Sequence, residues 1–282
     1  MIPQDKYVTI GDIKTRYWAE GEKGSPVILI HGLAASAEVW MHNVYALAEK
    51  HRVYVPDLVG FGLSDKPNVK YTPSYMAEFI NGFMAALNIT NASLVGHSLG
   101  GGVALQYTLH FPDKVHKLVL VDSAGLGKEM TFFMRLVTIP LVGELIVRPI
   151  RMGIAFVLKQ CVYDAAVITE DMIDLYYKLT SLPGAVRSII SILRANATIF
   201  GGRTEVLDPI AQNLVNIKFP VQIIWGQQDG ILPIKHAYFA REKLPTARFH
   251  IYDQCGHMPN FERPQEFNTL VLNFLNDDIL NS

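Results

Sequence analysis

Cysteine is scarce: Cys161 and Cys255 are the two in 282 residues. A disulfide framework is not expected, and neither cysteine sits in the paired Cys/His spacing of a zinc site, so no metal is expected. A surplus of charge is lacking too. The 25 basic and 26 acidic residues leave a formal net charge of −1, without a basic tract or an acidic tail. That removes the electrostatic footprint of nucleic-acid binding. Long hydrophobic runs are missing. The most apolar stretch, 131–158, is broken by Arg135, Glu144, Arg148, Arg151, Pro140 and Pro149. A spanning helix needs about 20 apolar residues with few charges, so no membrane span is expected, and peripheral contact with lipid stays open. The opening MIPQDKYVTI lacks the basic-then-apolar pattern of a secretory leader, and a cytoplasmic location is expected.

What is present is core material. Half of the residues are hydrophobic and 10% are aromatic, enough for a sizeable core. Strand and helix patterns alternate. Segments 7–10 and 13–20 read as a hairpin about Gly11-Asp12, followed by strands at 27–30 and 52–55 and a helix at 37–48. Thr72 and Pro73 open a helix whose Met76, Phe79, Ile80, Phe83, Met84 and Leu87 form one apolar face. A strand at 92–95, a helix at 99–110 and a strand at 115–121 follow. The alternation then stops. Residues 127–210 offer helical runs, at 152–160, 170–179 and 185–197, with no good strand. Alternation resumes at 221–225, 236–243, 248–252 and 265–276. This order predicts an α/β core, residues 1–126 and 211–282, with a mostly parallel sheet of about eight strands and helices on both faces. A helical unit, 127–210, is expected to be inserted after the sixth strand.

Residues 94–102 read L-V-G-H-S-L-G-G-G. A G-x-S-x-G alone is weak evidence, and an ordinary glycine-rich turn would explain it. Its context is stronger: a predicted strand runs into it and a predicted helix leaves it, the setting of a nucleophile elbow. Such a turn lifts the Ser98 hydroxyl clear of the sheet and sets a helix N-terminus beneath the reacting oxygen. A serine needs a base, and after such an elbow the acid and then the histidine follow in the chain. His236, His250 and His257 lie beyond the helical unit. His250 falls inside a strand pattern and reads as structural. His236 opens a helix and reads as a surface or rim residue. His257 sits in a loop between the last strand and the last helix, from which an imidazole can reach over the sheet. Asp229, after the strand at 221–225, is the favoured acid. Asp122, ending the strand after the serine helix, is its rival, and Asp253 a weaker one. The oxyanion donors expected are the N–H groups of Leu99, after the serine, and Leu33, after His31-Gly32. His31 reads as a residue that shapes this loop.

The motifs together resemble the α/β-hydrolase fold over about residues 5–277. H-G-L-A at 31–34 resembles its oxyanion loop, D-L-V-G-F-G-L-S-D-K-P at 57–67 the supporting loop, and G-H-S-L-G at 96–100 the elbow. W-G-Q-Q-D and G-H-M-P-x-x-E-x-P complete the set. The resemblance implies that 127–210 is a cap over the site. Serine at the nucleophile position sets the chain apart from epoxide hydrolases and haloalkane dehalogenases, which carry aspartate. Hydrolases of ring-cleavage products are similar overall, but usually place Asn before the nucleophile, Trp after the histidine and Arg in the cap. Here His97 and Met258 stand at the first two places, and the matching cap stretch near Tyr176 lacks the arginine. Cofactor-free perhydrolases share the same triad.

The cap is rich in Phe, Met, Leu and Ile, and some of these are expected to face the cleft. His97, Phe133, Ile139, Leu145 and Met258 are the expected pocket residues. Arg135, Arg148, Arg151, Arg187 and Arg194 read as solvated surface, and Cys255 as packing. The expected function is a serine carboxylesterase acting on hydrophobic small-molecule esters, without a cofactor, as a monomer or homodimer. The alternatives are C–C hydrolysis of a ring-cleavage (vinylogous diketone) product and a slow-turnover ligand sensor.

Overall fold

The computed structural model describes residues 2–277. Its first two strands, β1 (Lys6–Ile10) and β2 (Ile13–Glu20), form the expected hairpin about Gly11-Asp12. The next strands are β3 (Pro26–Ile30), β4 (Arg52–Pro56), β5 (Ala92–His97) and β6 (Val115–Val121). A tiny hairpin, β7 (Ala197–Thr198) and β8 (Gly201–Gly202), precedes β9 (Val221–Gly226) and β10 (Arg248–Tyr252). The main sheet has eight strands in the order β1-β2-β4-β3-β5-β6-β9-β10. From β4 through β10 the pairs are parallel, while β1 and β2 are antiparallel additions at one edge.

Central strands are buried on both faces, as their unbroken apolar runs require. Side chains alternate across the sheet. Ile28, Ile30, Leu94, Leu118, Leu120 and Ile223 pack into one core with the helices Pro73–Ala86 and Leu99–His110. Val27, Leu29, Val95, Val119, Val121 and Ile224 pack into the other, with Phe267, Val271 and Phe274 of the helix Pro264–Asn276.

Two expectations are corrected. The helix expected at 37–48 is a 3-10 turn, Ala37–Trp40, and a short helix, Val44–Ala48. Buried Asn43 sits at the break, its Nδ2 spent on the Asn260 carbonyl and Asn268 Oδ1 at 3.0 and 2.8 Å. The stretch between β6 and β9 is helical apart from the β7–β8 hairpin. Those strands have two residues each, too short for alternation to register. The helix Thr204–Asn213, with Pro209 inside it, follows that hairpin.

The parallel strands all end on one edge of the sheet. Ile30 pairs with Gly96, His97 with Val121, Val121 with Ile224 and Gly226 with Tyr252. The loops after β3, β5, β6, β9 and β10 therefore meet there, where open α/β sheets bind ligands.

Candidate functional site

Ser98 holds φ 54° and ψ −119°, a conformation costly for a residue with a side chain. The surroundings enforce it. Its N–H donates to the Val121 carbonyl at 2.9 Å, and its carbonyl accepts from Gly101 and Ala124 N–H at 3.0 and 2.9 Å. Glycine is needed on both sides. A Cβ on Gly96 would lie 2.4 Å from the Gly100 carbonyl oxygen, and one on Gly100 2.2 Å from that of Ile30.

His257 reaches this turn from the loop after β10. Its Nε2 lies 2.9 Å from Ser98 Oγ, and its Nδ1 2.7 Å from Asp229 Oδ2. Asp229 Oδ1 accepts from the Ile231 and Leu232 N–H groups at 2.7 and 3.0 Å. Burial works to raise the Asp229 pKa, but the His257 contact and these two N–H donors hold it below the usual carboxylate value. An ionised Asp229 fixes the proton on His257 Nδ1, which leaves Nε2 as an acceptor for the serine hydroxyl.

Leu33 and Leu99 both line the cavity beside Ser98. Neither N–H donates to any acceptor among the described residues. The Leu33 loop is built by its neighbours. His31 Nδ1 donates to the Gly32 carbonyl at 2.8 Å, and its Nε2 accepts the Leu58 N–H at 2.9 Å. Burial lowers the His31 pKa to about 4, which keeps the ring neutral for that role. Below it, buried Asp57 accepts from the Ala37 and Leu63 N–H groups at 2.7 Å each and faces Arg16 at 3.2 Å. Burial pushes Asp57 up to about 6 against the pull of Arg16. Arg16, half-hidden in a strand pattern, was not among the expected residues.

The rival acids part company. Asp253 is exposed and bonds Gln228 at 2.9 Å. Asp122 is fully buried, and ligand atoms of Asp122, Asp229 and His257 all lie within 4.8 Å of one another. Such a trio could hold a cation, but both nitrogens of His257 are already engaged. The histidine loop has supports that sequence reasoning left unassigned. Glu262, the glutamate of the G-H-M-P-x-x-E-x-P motif, accepts from Gly256 N–H at 2.9 Å and from Tyr163 N–H at 2.7 Å. His257 N–H donates to the Cys161 carbonyl at 2.7 Å. The loop is thus stitched to the helical segment between β6 and β9.

The expected pocket residues are not the lining. Phe133 and Leu145 are 47% and 60% exposed, Met258 is 3% exposed inside the second core, and His97 lies buried behind His257. Ile139 is absent from the cavity wall. On a short helix one residue faces in and its neighbour out: Met134, next to Phe133, lines the cavity. The walls are Met76, Val103, Met134, Ile192, Leu193 and Leu207, among others, with Glu129 and Asn196 as polar groups besides Ser98. No Lys or Arg lines it among the described residues. His236, expected at the rim, is buried: Nε2 meets Glu129 at 2.9 Å and the ring stands edge-on to Trp225. His250 stands edge-on to Tyr252, and burial raises the Cys255 thiol pKa, consistent with a packing residue.

Residues 25–142 and 152–264 match the family model described as alpha/beta hydrolase fold. An uncharacterised protein of Mycobacterium tuberculosis is 32% identical over 266 residues, 89% of this chain and 75% of that one. The 2-hydroxy-6-oxo-6-(2'-aminophenyl)hexa-2,4-dienoic acid hydrolase of Metapseudomonas resinovorans is 29% identical, covering 96% of this chain and 90% of its own. A solved meta-cleavage product hydrolase from Pseudomonas fluorescens superposes with a TM-score of 0.83 at 28% identity, covering 96% and 97% of the two chains. Sequence match, sheet order and elbow agree, and the chain belongs to the alpha/beta hydrolase fold family.

Proposed function

We propose that the protein is a serine hydrolase that cleaves esters of neutral, apolar acids through an acyl-enzyme on Ser98. The observation that carries this reading is the hydrogen-bonded chain Ser98–His257–Asp229 at the mouth of an apolar cavity. His257 Nε2 takes the hydroxyl proton as Ser98 Oγ attacks the ester carbonyl. Asp229 holds the imidazole in place and stabilises its charged form. The free N–H groups of Leu33 and Leu99 receive the oxyanion. His257 returns the proton to the departing alcohol. A water, activated in the same way, then releases the acid.

The named relatives favour a second reading, hydrolysis of a C–C bond in a ring-cleavage product. Two of these relatives are named for dienoic acids. A carboxylate entering this cavity would find a largely apolar wall without Lys or Arg, where the one acid, Glu129, is already paired with Lys235 at 2.6 Å and His236 at 2.9 Å. That apolar wall supports the neutral ester as the first reading.

The test compares p-nitrophenyl esters from acetate to laurate with a 2-hydroxy-6-oxo-dienoate, using wild type and Ser98→Ala. Ester turnover lost in Ser98→Ala supports the first reading. Ser98-dependent cleavage of the dienoate with idle esters replaces it with the second.

A further inference from the structure

Asp122 lies one step behind the site and plays no part in the proposed reaction. It directly follows β6 with φ 42°, an uncommon backbone for aspartate, and its side chain is fully buried. Oδ1 accepts the Gly226 N–H at 3.0 Å. Oδ2 is buried and meets no donor. Its carboxyl lies within 4.8 Å of both the Asp229 carboxylate and the His257 ring. Two buried carboxylates this close cannot both stay ionised, so one keeps a proton. The donors decide which. Asp229 receives two N–H groups and the imidazole, whereas Asp122 receives one N–H.

We infer that Asp122 is a positioning residue, a neutral acid whose Oδ2–H donates to the Asp229 carboxylate and so fixes the group that orients His257. This inference rests on the Ser98–His257–Asp229 reading. Burial, and then the negative charge of Asp229, raise the Asp122 pKa well above the usual carboxylate value, in keeping with a retained proton. The other titratable groups facing it are Glu262, which adds to that rise, and the Cys255 thiol. Neither supplies a positive charge that would favour ionisation, and the neighbouring His257 gives its Nδ1–H to Asp229 rather than to Asp122. Asp122 thereby gives Asp229 a fourth donor and leaves the Asp229 carboxylate less basic.

The experiment measures the rate at which a fluorophosphonate labels Ser98, a readout that needs no natural substrate. Wild type and His257→Ala are run first. His257-independent labelling would sink the triad reading itself, apart from any role of Asp122. Asp122→Asn keeps both hydrogen bonds, with its carbonyl toward Gly226 N–H and its amide toward Asp229, and asparagine tolerates positive φ. It is expected to label within about threefold of wild type, with an unchanged pH profile. Asp122→Ala is expected to label at least about tenfold more slowly, with the acid limb of the profile moved to higher pH, because Asp229 becomes more basic. If the alanine variant does not fold, Asp122→Gly, which suits the left-handed backbone, takes its place. Asparagine as slow as alanine would overturn the inference, since an ionised Asp122 would then be required. A truncation as fast as wild type would overturn it as well.

Discussion

His97 Nε2 donates to the main-chain carbonyl of His257 at 2.7 Å. The residue before Ser98 thus holds the loop that carries His257, and the two rings lie 4.9 Å apart. Burial, then the nearby His257, lower the His97 pKa from 6.5 to about 3. In the unfolded chain it would take up a proton near 6.5, while the folded protein refuses one until about 3. Its contribution to stability is therefore complete above about pH 6.5 and is lost as pH falls toward 3, with a slope of up to about 1.4 kcal/mol per pH unit. Asp57, raised to about 6, acts with the opposite sign: between its usual value and about 6 the folded state holds the extra proton. The His97 effect is read by difference. His97→Asn should cost about 1 kcal/mol at neutral pH for the lost hydrogen bond. Urea melts at neutral and mildly acid pH should show that gap closing on acidification. A gap independent of pH would contradict the account.

Asp229→Asn keeps the shape of the orienting group but removes its charge. By analogy with triads in general, kcat should fall about ten-thousand-fold, with substrate affinity nearly unchanged. Steady-state kinetics with the best ester checks this. A loss confined to KM would show that Asp229 serves binding rather than orientation of His257.

A Cβ on Gly62 would lie 2.1 Å from Asp57 Oδ2, at a position with φ 51°. Asp57 cannot retreat, because both oxygens accept main-chain N–H groups and face Arg16. Gly62→Ala should therefore destabilise the fold by about 2–4 kcal/mol, from backbone strain and a disturbed buried ion pair. Equilibrium unfolding in urea measures it. A change below about 0.5 kcal/mol, typical of ordinary surface sites, would contradict the role given to this loop.

Met134 and Phe133 separate the wall of the cavity from its outside. Met134→Trp should shift the preferred acyl chain shorter and lower kcat/KM for long esters about tenfold or more. Phe133→Ala should leave the chain-length profile unchanged. A profile that follows Phe133 instead would restore the pocket expected from sequence.

The elbow was legible because several local signals coincide there: a buried strand, flanking glycines and a helix start. His257 and Asp229 were legible because each follows a strand that ends on the same edge of the sheet. The cavity wall was not. Sequence alone identifies an apolar helix such as Phe132–Val137 but not which of its residues faces inward, since only packing tells Met134 from Phe133. Asp122 read as a rival acid because spacing along the chain cannot show that it and Asp229 stand side by side. Arg16 was hidden for a similar reason. Its partners Asp5, Glu38 and Asp57 come from three separate segments.

The central claim is that Ser98 becomes acylated. Wild type mixed with a slowly deacylating p-nitrophenyl ester and quenched in acid can be weighed intact and then mapped by peptide mass. The account predicts one acyl group per chain, on the peptide carrying Ser98, and none in Ser98→Ala. Ester consumed without that adduct, or with the acyl group on another residue, would contradict it.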